Sequence, residues 1–134
     1  MSNSEVTLCE KYLYNKLRTY YPDIEVYNCF APQSSTYPLI TFQLTDSDEY
    51  KGANNYTFFT EFEVIIKVWD EDKYNDIIAN TLNSIFENVQ GEEFQDGYIQ
   101  SIVKIETIPS MKDYYNVHDY YARIFKYLIK IKLN

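Results

Sequence analysis

The sequence has few of the residues on which most cofactor sites and interdomain linkers depend. Its 134 residues include only three glycines, four prolines, two cysteines and one histidine. Three scattered glycines cannot build a phosphate-binding loop, and the glycines and prolines form no flexible linker. We therefore expect one domain over residues 1–134 with no bound cofactor.

Residues for catalysis and metal binding are equally scarce. Cys9, Cys29 and His118 cannot complete a four-ligand zinc site by themselves, and we expect both cysteines to be reduced thiols. A catalytic triad would have to include His118, which stands in a stretch rich in Tyr and Asp with no nucleophile pattern. Residues 46–49 lack the spacing of a calcium-binding loop. The sequence predicts a protein that is not an enzyme and binds no metal.

Basic residues are in the minority. The chain has 12 Lys and Arg against 20 Asp and Glu, so its formal net charge is −8. Such a chain repels nucleic-acid phosphates, and we expect no sequence-specific DNA binding. No stretch approaches the roughly 18 apolar residues of a membrane span, and the N-terminus lacks the basic start and apolar run of a signal peptide. We expect a protein made in the cytoplasm, without membrane contact.

Aromatic residues, by contrast, are abundant. The chain contains 15 Tyr, 8 Phe and 1 Trp, and 46% of its residues are hydrophobic. A chain of this length and composition can bury a core without disulfide bonds. Tyrosine combines an apolar ring with a polar hydroxyl, so many of the tyrosines should lie at edges and subunit contacts.

Hydrophobic periodicity predicts seven secondary-structure elements. Apolar residues recur every three to four positions over 4–20 and 71–89, which indicates two amphipathic helices. Alternation of apolar and polar residues predicts strands over 24–30, 37–44, 57–69, 98–108 and 121–133. The order is α-β-β-β-α-β-β. The predicted fold class is α+β, with a single antiparallel or mixed sheet of about five strands and two helices packed on one face.

Two polar stretches lie between predicted strands. Residues 46–55 are too many for a tight hairpin turn, although the strands on either side should pair antiparallel. Residues 109–119 form the second stretch. We expect both to be projecting loops.

Short apolar motifs link this order of elements to a known family. Tyr37-Pro38-Leu39-Ile40-Thr41-Phe42 opens one strand, and Val68-Trp69 ends the next, just before a helix. In this order and spacing the chain resembles, over most of its length, the tail-completion and tail-terminator proteins of long-tailed bacteriophages. Members of that family often have a small polar residue after Val-Trp, whereas this chain has Asp70-Glu71-Asp72.

The resemblance implies a structural virion protein without catalytic activity. Such a subunit forms a homo-oligomeric ring, commonly a hexamer, that caps the head-proximal end of the tail tube. Its partners would be the tail tube protein and the head-tail connector or stopper protein, with DNA only as passing cargo. On this basis we expect the following residues to face a neighbour or the lumen: Asp46, Asp48, Glu49, Lys51, Glu61, Glu63, Tyr114, Tyr115, His118 and Asp119.

Three other functions are compatible with the sequence. The chain could be another connector or neck protein of the same particle, because several such proteins use small ring-forming domains. It could be a cytoplasmic adaptor domain that binds a partner through an exposed sheet edge. It could also be a small hydrolase or transferase that uses the carboxylates of Glu61 or Glu63, which loss of activity on replacing either residue would reveal.

Overall fold

Strands dominate the part of the chain that the structure describes. The structure is a computed structural model, and it describes residues 3–31, 38–51, 57–70, 77–87, 89–94, 96–112 and 121–133. In chain order the elements are α1 (Asn3–Tyr20), β1 (Glu25–Asn28), β2 (Leu39–Lys51), β3 (Thr57–Asp70), α2 (Ile77–Ile85), β4 (Glu93–Phe94), β5 (Gly97–Lys112) and β6 (Tyr121–Leu133). The first predicted helix and the predicted strands 57–69 and 121–133 are confirmed to within one residue.

One mixed sheet holds all six strands. Their order is β1-β2-β3-β6-β5-β4, with β1 and β2 parallel and every other neighbouring pair antiparallel. The predicted antiparallel pairing of β2 with β3 is confirmed. β3 and β6, the two segments with the clearest alternation in the sequence, lie at the centre of the sheet. Each of them therefore pairs with a neighbouring strand on both sides.

The predicted fold class is wrong. The protein is mostly β, with a curled sheet of six strands rather than about five, and of its two described helices one is short. The additional strand is β4, which has two residues and pairs only with Tyr98 and Gly97. A two-residue strand is too short to show alternation, so no sequence pattern could reveal it.

The core lies on one face of the sheet, which we call the inner face. Val64, Ile66 and Ile129 are fully buried there, and side chains of both helices join the same cluster. Full burial of one such aliphatic side chain stabilises the fold by about 1.5–3 kcal/mol. The helical members are Cys9, Tyr12, Leu13 and Leu17 from α1 and Ile78, Leu82 and Ile85 from α2.

The second helix ends earlier than predicted. The expected helix covered residues 71–89, whereas the described helix is Ile77–Ile85, and residues 71–76 lie outside the described ranges. At its end the hydrogen bonds run from Phe86 N to Asn83 O at 3.2 Å and from Glu87 N to Ser84 O at 3.3 Å, the tighter spacing of a closing turn. Asn83 and Ser84 have low helix propensity. The helix therefore ends at Ile85, although the apolar pattern continues to Val89.

Both predicted loops are partly strand. β2 continues to Lys51 and β5 to Lys112, so 46–51 and 109–112 belong to the sheet, while 52–56 and 113–120 lie outside the described residues. In β2 the register shifts from Leu44 opposite Val64 to Asp46 opposite Glu63, which leaves Thr45 as the extra residue of a β-bulge. The alternation of apolar residues stops at this bulge, and the polar continuation of the strand therefore resembled a loop.

Candidate assembly surface

Four predicted interface residues meet on the face of the sheet opposite the core, which we call the outer face. Phe62 and Val64 of β3 are buried on the inner face, so Glu61 and Glu63 point the other way. In the register of β2 with β3, Asp46 lies opposite Glu63, and Asp48 lies opposite Glu61. Directly paired residues of neighbouring strands share a face. The fold thus brings together what we call the acidic cluster: Asp46, Asp48, Glu61 and Glu63.

An aromatic pair and one lysine border the acidic cluster. Tyr50 and Phe59 stack with ring centroids 4.4 Å apart at an angle of 26°. Lys130 of β6 places its Nζ 4.9 Å from the Phe59 ring centroid and 3.8 Å from a Glu61 carboxylate oxygen. Lys130 thus pairs with one of the four carboxylates of the acidic cluster.

The negative charges of the acidic cluster act on the hydroxyl of Tyr50. Its hydroxyl donates to Glu61 Oε1 at 3.4 Å. The negative charge of Glu61, followed by burial and by the charge of Asp48, raises the pKa of Tyr50. Like charges on directly opposed residues destabilise a strand pair by some tenths of a kcal/mol, so this arrangement does not serve stability.

The other predicted interface residues are not part of the cluster. Glu49 lies opposite the buried Thr60, on the inner face, and is separated from the four carboxylates by the alternation of the strand. Lys51 lies opposite Thr57 at the end of β2. The remaining four, Tyr114, Tyr115, His118 and Asp119, lie outside the described residues.

A second exposed feature is the edge of β5. Within the described ranges this strand pairs with β6 along one side, but with β4 only at Gly97 and Tyr98. Val103 and Ile105 are 53% and 46% exposed. A long edge strand with exposed apolar side chains invites pairing with another chain.

Sequence reasoning missed Tyr50, Phe59 and Lys130 as parts of the surface. The alternation of β6 did place Lys130 on the polar face of its strand. Only the strand order, with β6 beside β3, brings that lysine to Glu61. Local patterns carry no information on which distant strands become neighbours.

The described residues contain neither a membrane-spanning helix nor a cluster of metal ligands. None of the helices there is long and apolar enough to cross a membrane. The same ranges contain no group of three or more His, Cys, Asp or Glu side chains arranged to hold a metal ion.

Comparison with known proteins gives a structural likeness alone. No known family and no curated protein matches the sequence. Among solved structures, the chain is similar to a chain of the virion of a native gene transfer agent particle, with a TM-score of 0.65. The two share 10% sequence identity, and the match covers 88% of this chain and 90% of the other. At this identity the likeness establishes a shared fold over nearly the whole of both chains.

Proposed function

We propose that this protein is a structural subunit of a phage-like virion and has no catalytic role. The observation that carries the proposal is the fold shared with a chain of a gene transfer agent virion over 88% of the sequence. The motifs Tyr37-Pro38 and Val68-Trp69, which resemble those of tail-terminator proteins, support it independently of the fold.

Within the virion, we propose the role of a tail terminator. The subunit forms a ring, in our proposal a hexamer, at the head-proximal end of the tail tube and joins it to the head-tail connector or stopper protein. The long edge of β5 and the exposed Val103 and Ile105 suit contacts between subunits. Another position in the neck of the same particle is the nearest alternative.

The acidic cluster suits the lumen of such a ring. Six copies of the chain would carry a formal charge of about −48, six times −8, which repels DNA phosphates. The like charges of Asp48 and Glu61 face each other across two strands at a cost in stability. A lumen wall to which passing DNA must not adhere accounts for an arrangement of charges that lowers stability.

Removal of the gene from a particle-producing cell tests the role. We expect heads without tails beside tails of irregular length in electron micrographs, and restoration of whole particles when the gene is supplied in trans. Normal particles in the absence of the protein would exclude a role in joining heads to tails.

A paired charge reversal tests the lumen assignment. Asp46→Lys combined with Asp48→Lys should leave particle numbers unchanged, yet lower the rate of DNA delivery at least about tenfold, because DNA then adheres to the wall. The control is Asp23→Lys with Glu87→Lys, which makes the same change in charge at exposed positions outside the cluster. A ring structure with a neutral or basic bore would contradict the assignment.

The β5 edge also favours a second candidate, a cytoplasmic adaptor domain that binds a partner strand. Such a protein would be monomeric, and it would be absent from purified particles. Mass spectrometry of purified particles separates the two candidates.

A further inference from the structure

A groove lies between α1 and β4, at one end of the sheet. Its volume is about 390 Å³, and its lining includes three aromatic residues, Tyr12, Tyr20 and Phe94. The Tyr12 and Phe94 ring centroids are 5.9 Å apart at 49°, and Lys16 Nζ lies 5.4 Å from the Tyr20 ring centroid. Such a volume amply accommodates one aromatic side chain. We call it the Tyr12 groove.

One polar atom in the wall of the Tyr12 groove lacks a partner. Tyr12 is 7% exposed, and its hydroxyl, although close to the Glu92 carboxylate, makes no hydrogen bond of normal geometry. The nearby Glu92 carboxylate is engaged by Lys16, whose Nζ donates to its two oxygens at 2.8 and 3.1 Å. Burial, followed by the charge of Glu92, raises the pKa of Tyr12, so the hydroxyl stays protonated and remains a donor. A buried hydroxyl without a partner costs about 1–3 kcal/mol.

An exposed aromatic residue lies at the opposite end of the sheet. Phe30 is 84% exposed, the largest value among the exposed apolar side chains of the described residues. It follows β1, the strand at the other end of the order β1-β2-β3-β6-β5-β4. Cys29 has a φ of 72°, a left-handed conformation that non-glycine residues rarely adopt. The chain thus turns sharply at the residue before Phe30.

The two features lie on opposite flanks of α1. Glu10 accepts a hydrogen bond from Asn28 of β1 on one flank, and Tyr12 meets Phe94 of β4 on the other. Phe30 therefore cannot occupy the groove of its own chain. A second copy, placed head to tail, can present its Phe30 there.

We propose that Phe30 of one subunit inserts into the Tyr12 groove of the next. This contact rests on the proposed function, because it would be one of the contacts that build the ring. It joins two different surfaces of the same chain, and such heterologous contacts close into rings when the rotation between subunits permits.

The charged residues near Phe30 and in the Tyr12 groove are compatible with this contact. Glu25 stands in β1 near the inserted segment, and Lys11 lines the groove. Lys11 makes no ion pair among the described residues, so it is available to a carboxylate of the neighbouring subunit. The remaining charged side chains of the groove, Lys16 with Glu92 and Glu93, carry both signs.

Substitution of Phe30 tests the contact. Phe30→Glu should raise the dissociation constant for self-association at least about tenfold, as loss of a central aromatic anchor does. The matched control is Tyr14→Glu, which replaces another exposed aromatic residue outside the groove and should change the constant less than about twofold. Sedimentation velocity gives the constants, and circular dichroism checks that both variants are folded.

Cross-linking supplies a test that does not depend on lost affinity. Asn15 lines the groove, and the exposed Cys29 is adjacent to Phe30. Mild oxidation of Asn15→Cys should therefore give a ladder of disulfide-linked multimers, which Cys29→Ser abolishes. Tyr14→Cys is the control, because Tyr14 is exposed but not part of the groove.

The contact is refuted if Phe30→Glu associates like the wild type, or if Asn15→Cys gives no ladder. A wild-type chain that stays monomeric at about 100 µM, where micromolar contacts are populated, also overturns it. None of these results affects the virion assignment, which depends on whether the wild-type chain is found in purified particles. Its absence from them would refute the proposed function instead.

Discussion

At the scale of single residues, the two cysteines occupy opposite environments. Both are free thiols; Cys9 is fully buried in α1 and Cys29 is exposed after β1. Burial, with a smaller contribution from Glu10, raises the pKa of the Cys9 thiol to about 12. The thiolate is the reactive form, so Cys9 should be inert. A thiol reagent at pH 8 should therefore modify one equivalent rapidly and the second only after unfolding. Cys29→Ser should abolish the rapid phase, and rapid modification of that variant would contradict the burial of Cys9.

The unpartnered hydroxyl of Tyr12 should make one substitution stabilising. Tyr12→Phe removes a buried polar group without a partner, and we expect the free energy of unfolding to rise by about 1 kcal/mol. Tyr127→Phe is the control, because its hydroxyl donates to Asn83 and its loss should cost about 1 kcal/mol. Urea titrations in the Phe30→Glu background exclude any contribution from association. Equal destabilisation by both changes would show that Tyr12 has a partner.

At the scale of elements, neighbouring strands contain both a like-charge pair and an opposite-charge pair. Asp48 lies opposite Glu61, whereas Glu106 lies opposite Lys126 with their charged atoms 3.4 Å apart. We expect Asp48→Asn to stabilise the protein and Glu106→Gln to destabilise it, each by about 0.2–1 kcal/mol. Both effects should shrink in 1 M salt, where the Debye length is about 3 Å. Chemical denaturation at low and high salt measures them. Effects of the same sign would contradict the register.

Particular elements show how far the sequence alone predicts this fold. Alternation over thirteen residues fixed β6 at Tyr121–Leu133, because one buried face and one polar face dictate a period of two. The same rule failed in β2 beyond Leu44, where both faces become polar and a bulge shifts the phase. The acidic cluster could be predicted as residues but not as a surface, since its assembly depends on the pairing of β2 with β3 in that shifted register.

At the scale of the whole molecule, buried thiol and tyrosine hydroxyl groups make the free energy of unfolding depend on pH in the alkaline range. Burial raises the pKa of Cys9 to about 12, and it also raises the pKa values of Tyr12, Tyr21 and Tyr127 above their ordinary value of 10.0. The folded chain therefore binds more protons than the unfolded chain above pH 9, and its stability is full below that pH. The free energy of unfolding should fall as pH rises further, by up to about 1.4 kcal/mol per unit for each group.

Urea titrations between pH 7 and 10.5 measure this dependence. Cys9→Ala should flatten the slope above pH 9, because its thiol is the group with the lowest ordinary pKa, 9.0. A free energy of unfolding that rises with pH would contradict the raised pKa values, because the folded chain would then bind fewer protons than the unfolded chain.

The bulge at Thr45 gives the gene a place where its length can change. Asp46 already stands opposite Glu63, the position that the residue after Leu44 would take in a regular strand. Deletion of Thr45 should therefore keep every later side chain of β2 on its present face. The free energy of unfolding should change by less than about 1 kcal/mol. β3 pairs with β6 without a register shift, so deletion of Ile65 should exchange the faces of half a strand and prevent folding. Loss of one codon at this point should leave the sheet register unchanged, so chains that share this fold can lack the bulge residue while presenting the same surface.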